Sequence, residues 1–258
     1  MTIDRDDSRP QHLREARHYT HDDDARIPVG EEWPSVTTIC GLVDKSHGLI
    51  PWAVKLTADY WLEKISGASS FELDVTYRES KKAWKEKRDA AGAAGTLIHN
   101  WWNEELNARA TGGGVVQNSE EIKAIVGAVD TCDALFKWQY DNHYTQTGGE
   151  FVVLSSNLKC AGRVDSVGIF RKRGKEVLTD LKTGSAVRSS ALMQMGAYYL
   201  CLKEMGQPVS KAIVLHAPLG CKVVREVHMT LAELKVHAAA FVKMREVWSW
   251  FVNYGGSK

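Results

Sequence analysis

The stretch from Glu150 to Tyr199 carries two short acidic segments followed by a helical pattern, and this order narrows the possible folds sharply. Phe151 to Leu154 is apolar and β-branched, Val164 to Phe170 alternates, and Glu176 to Leu181 alternates again, so each reads as a strand. Arg171-Lys172-Arg173-Gly174 reads as a tight turn in which Gly174 takes positive φ. If Lys172 and Arg173 form the loop, counting outward puts Asp165 opposite Asp180. A three-residue loop ending at Gly174 moves the register by about one residue. In either register two carboxylates lie close together on paired strands, where directly opposed Cβ atoms are about 5 Å apart. Lys182 is two residues beyond Asp180, so alternation sets it on the same face.

Two adjacent carboxylates repel, and one stays protonated unless a cation sits between them. A divalent metal resolves the conflict, and oxygen ligands suit Mg²⁺ or Mn²⁺. Lys182 adds a positive charge that holds an attacking water or stabilises a phosphate in the transition state. The plain alternative is a surface hairpin with a cross-strand charge cluster. The helical pattern that follows, with Gln194 and Tyr198 four apart on one face, favours a built site.

Here the residues resemble a known family. Asp165 followed by Asp180-Leu181-Lys182 is similar to the PD-(D/E)XK nuclease signature. Gln194-Met195-Gly196-Ala197-Tyr198 resembles the QxxxY helix of the RecB-like branch, and Gly95-Thr96-Leu97-Ile98-His99 resembles its upstream GxxxH segment. Pro34-Ser35-Val36-Thr37-Thr38-Ile39 is similar to the N-terminal segment of stand-alone phage and mitochondrial exonucleases of that group. The resemblance implies a restriction-endonuclease-like α/β core, a mixed central sheet flanked by helices, with a helical N-terminal portion. It implies metal ligation by His99, Asp165, Asp180 and the Leu181 carbonyl, with Lys182, Gln194, Tyr198 and Glu150 completing the catalytic set. The activity implied is a Mg²⁺- or Mn²⁺-dependent DNA exonuclease in phage or bacterial replication, recombination or repair. The compartment implied is the cytoplasm of a bacterium or an infected host, and the partners are single-stranded or duplex DNA ends and replication or recombination proteins. A structure-specific endonuclease of the same fold and a non-catalytic nucleic-acid-binding module are the other readings.

The 258 residues suffice for one large domain: a mobile tail over 1–16, then a single domain over 17–258 with a helical portion at about 48–143 and a catalytic core at about 148–258. The formal net charge is +1, so a nucleic-acid surface has to come from local clustering. Lys81, Lys82 and Lys85 around Trp84 form such a cluster, a phosphate ramp with an aromatic stacking platform. Thr183, Arg188 and Ser189 beside the acidic strands are further phosphate donors. The first 24 residues hold seven acids and no apolar stretch, which argues against a secretory signal or transit peptide, and no run approaches a membrane span. Cys40, Cys132, Cys160, Cys201 and Cys221 are scattered. RecB-like relatives with an iron–sulfur cluster bunch cysteines after the QxxxY helix, so the resemblance implies no cluster here.

Along the chain, Arg17–Tyr19 and Glu32–Ile39 pattern as a short hairpin, with Pro34 opening an extended run. Pro51 opens a helix ending at Gly67. Tyr77–Ala110 reads as one long helix, or as two with a break before His99 at Gly92 and Gly95. Asn118-Ser119 starts a helix to about Asn142. Ser189 or Ser190 caps a helix to about Glu204, Lys211–Ala217 and Lys222–Met229 are strands, and Thr230 with Glu233 forms a capping box for the last helix.

Overall fold

The computed structural model describes residues 16–43, 46–64, 70–170 and 174–254. Residues 1–15 of the expected tail, the helix end at 65–67 and the tip of the turn at 171–173 lie outside these residues. The chain is α/β. In order, the elements are β1 (His18–Tyr19), β2 (Trp33–Pro34), α1 (Val36–Cys40), α2 (Ser46–Lys64), α3 (Ser70–Ala110), α4 (Glu120–Ala124) and α5 (Ala128–Asn142). Then come β3 (Tyr144–Gly148), β4 (Phe151–Ser155), β5 (Cys160–Val164), β6 (Ser166–Phe170), β7 (Val177–Lys182), α6 (Ser189–Glu204), β8 (Lys211–His216), β9 (Arg225–Met229) and α7 (Leu231–Tyr254). No described helix is long and apolar enough to cross a membrane.

The chain divides into two units. One comprises residues up to Leu42 together with Ile98–Lys258, and the other is Val43–Leu97. The first is built on a mixed five-stranded sheet in the order β3-β6-β7-β8-β9. Only β7 and β8 run parallel, and α6 supplies the crossover that parallel neighbours require. As the central strand, β7 is buried on both faces up to Leu181, so the simple in–out alternation expected of it is lost. The β4–β5 hairpin forms a separate ribbon. Its turn is tied to the end of α6, where Glu204 Oε1 accepts from the Ser156 and Asn157 N–H groups at 2.9 and 3.2 Å. Tyr19, Ile27 and Trp33 from the β1–β2 segment pack on Leu154 and Ala161 of this ribbon.

Several elements differ from the sequence pattern for identifiable reasons. Val36–Cys40 is helical rather than extended, because Ser35 takes the N-cap role and its hydroxyl accepts from the Thr38 N–H. The helix expected to open at Pro51 starts at Ser46, so Pro51 sits inside it. α3 passes through Gly92 and Gly95 without a break and ends where Gly112 adopts φ +77° and the Gly113 N–H reaches the Ala108 carbonyl at 2.6 Å. The helix expected from Ser119 to Asn142 is two helices. Gly127 separates them at φ +83°, and a Cβ there would lie 2.9 Å from the Gly220 backbone. Tertiary approach of two chains, not local propensity, sets that break. Neither expected serine caps α6: Arg188 holds the N-cap position, without a side-chain cap bond. The Thr230–Glu233 box forms as expected, with the Thr230 N–H donating to Glu233 Oε2 at 2.8 Å.

Two glycines in helices make opposite demands. A Cβ on Gly196 in α6 would fall on the backbone of His237 and Ala238 in α7, whereas one on Gly92 meets nothing within 4 Å. Gly196→Ala should therefore destabilise by about 1–3 kcal/mol despite the better helix propensity of alanine. Gly92→Ala should stabilise by about 0.5–1 kcal/mol. Urea denaturation of the two variants measures both signs, and a stabilised Gly196→Ala would refute the α6–α7 packing described.

Candidate active site

Asp165 lies at the bend between β5 and β6, the point where one continuous segment leaves the β4–β5 ribbon and joins the central sheet. The segment from Val164 to Phe170 is thus not one strand, as its alternation suggests. The β6–β7 ladder pairs Ser166 with Thr179 and Val167 with Leu178, and one further step sets Asp165 beside Asp180. This is the register of the two-residue-loop alternative. The Leu181 N–H donates to Asp165 Oδ2 at 2.8 Å, and His99 Nδ1 lies 3.5 Å from the same oxygen.

Asp180 is 1% exposed. Lys182 Nζ approaches its Oδ2 at 2.5 Å. The ammonium thus occupies this buried oxygen as a charge-assisted pair. Gln194 Nε2 reaches Asp180 Oδ1 at a long 3.5 Å and donates to the Tyr198 hydroxyl at 2.8 Å. The i, i+4 spacing on α6 makes that pairing possible. Tyr198 fits beneath the sheet because Gly162 has no side chain: a Cβ there would come within 2.6 Å of the Tyr198 ring and 3.2 Å of Val36.

The electrostatics follow from this packing. Burial and the neighbouring Asp180 charge push the Asp165 carboxyl up to about 6, against the pull of His99 and Lys182. Burial by itself would lower the Lys182 ammonium, but Asp180 and Asp165 outweigh it and the net shift is upward. Lys182 is therefore a fixed cation and not a base. Burial, reinforced by Asp180, drives the Tyr198 phenol well above its ordinary range, so it remains protonated.

His99, Glu150 and Asp165 line one small cleft of about 40 Å³ with Asn100, Trp102 and Asn103. Glu150 is held there from two sides, accepting from Asn103 Nδ2 and from Arg163 Nη1, each at 3.1 Å. Sequence reasoning passed over Asn103 and Arg163. Asn103 follows His99 by one helical turn, a spacing that marks it as a neighbour, and its buried Oδ1 has no hydrogen-bond partner. Arg163 precedes Asp165 by two, a signal obscured by the bend.

Among the described residues, no group of three His, Cys, Asp or Glu side chains is already arranged to hold a metal ion. The candidate donors are Asp165, Asp180 and His99, with the Leu181 carbonyl as a backbone ligand. The carboxylate oxygens, the nearby imidazole and the mutual repulsion of the two acids fit a hard divalent cation in kind. Thr183 is half-buried after β7, and Arg188 and Ser189 are exposed at the start of α6. Lys82 and Lys85 are exposed in the second unit, and Trp84 is half-buried there under the Arg88 guanidinium, 5.1 Å from its ring. The Lys81 side chain lies outside the described residues.

No family model matches the chain, and no curated protein matches it. Among solved structures, SSO0001 is similar over 50% of this chain at 15% identity and a TM-score of 0.30, and this chain spans 59% of its length. A "Putative exonuclease" from Eubacterium rectale is similar over 84% of this chain and 87% of its own, at 9% identity and a TM-score of 0.45. The chemistry of the site rests on the side chains and their distances.

The raised Asp165 pKa has a signed consequence for the metal-free protein. Its contribution to stability is fully present below about pH 4, the unfolded value, and is lost as pH rises through 6. Asp165→Asn keeps an acceptor for the Leu181 N–H without the charge. In EDTA, the melting temperature of the variant relative to wild type should climb between pH 4.5 and 7.5, by about 2–4 °C for each kcal/mol. A pH-independent difference would mean that Asp165 is not strained by its neighbour.

Proposed function

We propose that this chain is a metal-dependent nuclease hydrolysing phosphodiester bonds, acting as a DNA exonuclease. The observation that carries the reading is the juxtaposition of Asp165 and Asp180 at the end of the central strand, with Lys182 fixed as a cation on the buried acid. Two like charges side by side, one buried and one at the cleft, each with a basic neighbour, suit a reaction in which negative charge accumulates on a phosphate. The resemblance of Gly95–His99, Asp165, Asp180–Lys182 and Gln194–Tyr198 to the RecB-like motifs supports the same reading.

In this proposal Asp165, Asp180, the Leu181 carbonyl and His99 hold Mg²⁺ or Mn²⁺. When bound, the cation supplies charge neutralisation and Lewis-acid polarisation at the phosphate and activates a water. The protein's own groups do the rest. Lys182, permanently protonated, orients the attacking water and stabilises charge on a phosphoryl oxygen. Gln194 steadies Asp180 through Oδ1 while leaning on the neutral Tyr198 phenol. Glu150, held by Arg163 and Asn103, forms the acidic wall of the cleft beside His99. Thr183, Arg188 and Ser189 contact the backbone of the bound strand, and Lys81, Lys82, Trp84 and Lys85 offer a second, sequence-independent contact.

Digestion of end-labelled single-stranded, duplex and covalently closed circular DNA in Mg²⁺ or Mn²⁺ tests the reading. Linear substrates should be degraded from their ends while the circle survives. Asp180→Ala should lose both cleavage and tight Mn²⁺ binding. Lys182→Ala should lose about 10²-fold or more in rate while keeping the metal, because an ammonium is not a ligand. Wild-type rates in excess EDTA would sink the scheme, and linearised circles would replace the exonuclease with an endonuclease.

A further inference from the structure

The last helix, α7, has two apolar faces. Leu234, Ala238, Phe241 and Trp248 form the buried one. On the opposite side Val236, Ala240, Lys243, Val247 and Trp250 recur at alternating intervals of four and three, the spacing of a helix–helix seam. This second face is open: Val236 is 67% exposed and Trp250 56%, and Ala239, Ala240 and Val247 are exposed between them. A tryptophan left in water at the middle of such a stripe marks a contact surface.

The stripe is complementary to itself. Val236, Ala239, Ala240 and Lys243 stand at i, i+3, i+4 and i+7, the four corners of a hole that takes a side chain from a facing helix. Two of the corners are alanines, so the hole admits a large knob. Trp250 is a large knob on the same face, braced edge-on by the half-buried Phe251 ring at 5.2 Å between centroids. It lies ten residues beyond Ala240, about 15 Å along the helix, so a chain cannot fill its own hole. A second copy running antiparallel can. With a two-fold axis level with Arg245, Trp250 of each copy comes level with Ala240 of the other, and Val247 with Lys243. Arg245 itself points away from this face and donates from Nε to the Leu158 carbonyl at 2.8 Å.

Charge selects the same arrangement. Lys243 and Glu246 are both exposed and lie 3.3 Å apart on one flank of the stripe. The antiparallel pairing brings Lys243 of one copy beside Glu246 of the other, twice. A parallel pairing would set Lys243 against Lys243 and Trp250 against Trp250, with both holes empty. A two-fold interface uses one patch on both copies, and this patch carries knob, hole, cation and anion together.

We propose that α7 is a homodimer interface, in which two copies pair antiparallel and each inserts Trp250 between Val236, Ala239, Ala240 and Lys243 of the other. None of these residues belongs to the acidic centre, so the proposal stands apart from the cleavage reading.

Sedimentation equilibrium of the full chain tests it. The wild type should form a dimer with a dissociation constant on the order of 10 µM, and Trp250→Ala and Ala240→Glu should each weaken it about tenfold or more. Both positions are exposed, and circular dichroism checks that the helices are kept. Lys243→Glu alone should weaken the dimer by setting it against Glu246 of the other copy, and adding Glu246→Lys should restore it. A wild type that stays monomeric up to about 0.5 mM leaves the stripe to some other occupant and overturns the proposal, as does equal dimerisation of Trp250→Ala. A dimer that is indifferent to Lys243→Glu overturns the antiparallel pairing.

Discussion

The structure turns on one unfavourable contact, the placing of Asp165 beside Asp180 at the edge of a buried central strand. An acid that is 1% exposed would ordinarily be the weakest point of a sheet. Here it is balanced locally: Lys182 stands on one oxygen of Asp180, Gln194 approaches the other, and the Leu181 N–H and His99 attend Asp165. The balance is incomplete, because the Asp165 carboxyl is still pushed up to about 6. A core that holds this pair without an apolar replacement carries a standing electrostatic cost.

The surrounding fold serves the same contact. The bend at Asp165 lets one segment belong to both the β4–β5 ribbon and the central sheet, so the acid projects where the two part company. The missing side chain at Gly162 admits Tyr198, and the close α6–α7 contact at Gly196 presses α6 into place. Gln194 and Tyr198 thereby arrive under β7 as a hydrogen-bonded unit. His99 comes from α3, in the same unit, and shares its cleft with Glu150 and Asp165.

Local signals in the chain were legible, and signals that depend on distant partners were not. The Thr230–Glu233 box, the apolar run of β4 and the facing of Asp165 and Asp180 all follow from residues close in sequence. β3 escaped notice because Tyr144–Gly148 is polar, and only its pairing with β6 makes it a strand. α3 survives two glycines that local propensity would have used as a break, and Gly127 breaks a helix for the sake of a backbone contact with Gly220. Around the acidic pair, the residues in motif spacing were readable. Asn103 and Arg163 were not, since what singles them out is their shared grip on Glu150.

The central claim is that the paired acids exist to hold a cation. Anomalous diffraction from crystals soaked in Mn²⁺ addresses it directly. The account predicts a peak at about 2.0–2.3 Å from oxygens of both Asp165 and Asp180, with Lys182 displaced from the ligand sphere. A fully soaked crystal with no peak between these two carboxylates, or with Mn²⁺ bound only elsewhere, would contradict it.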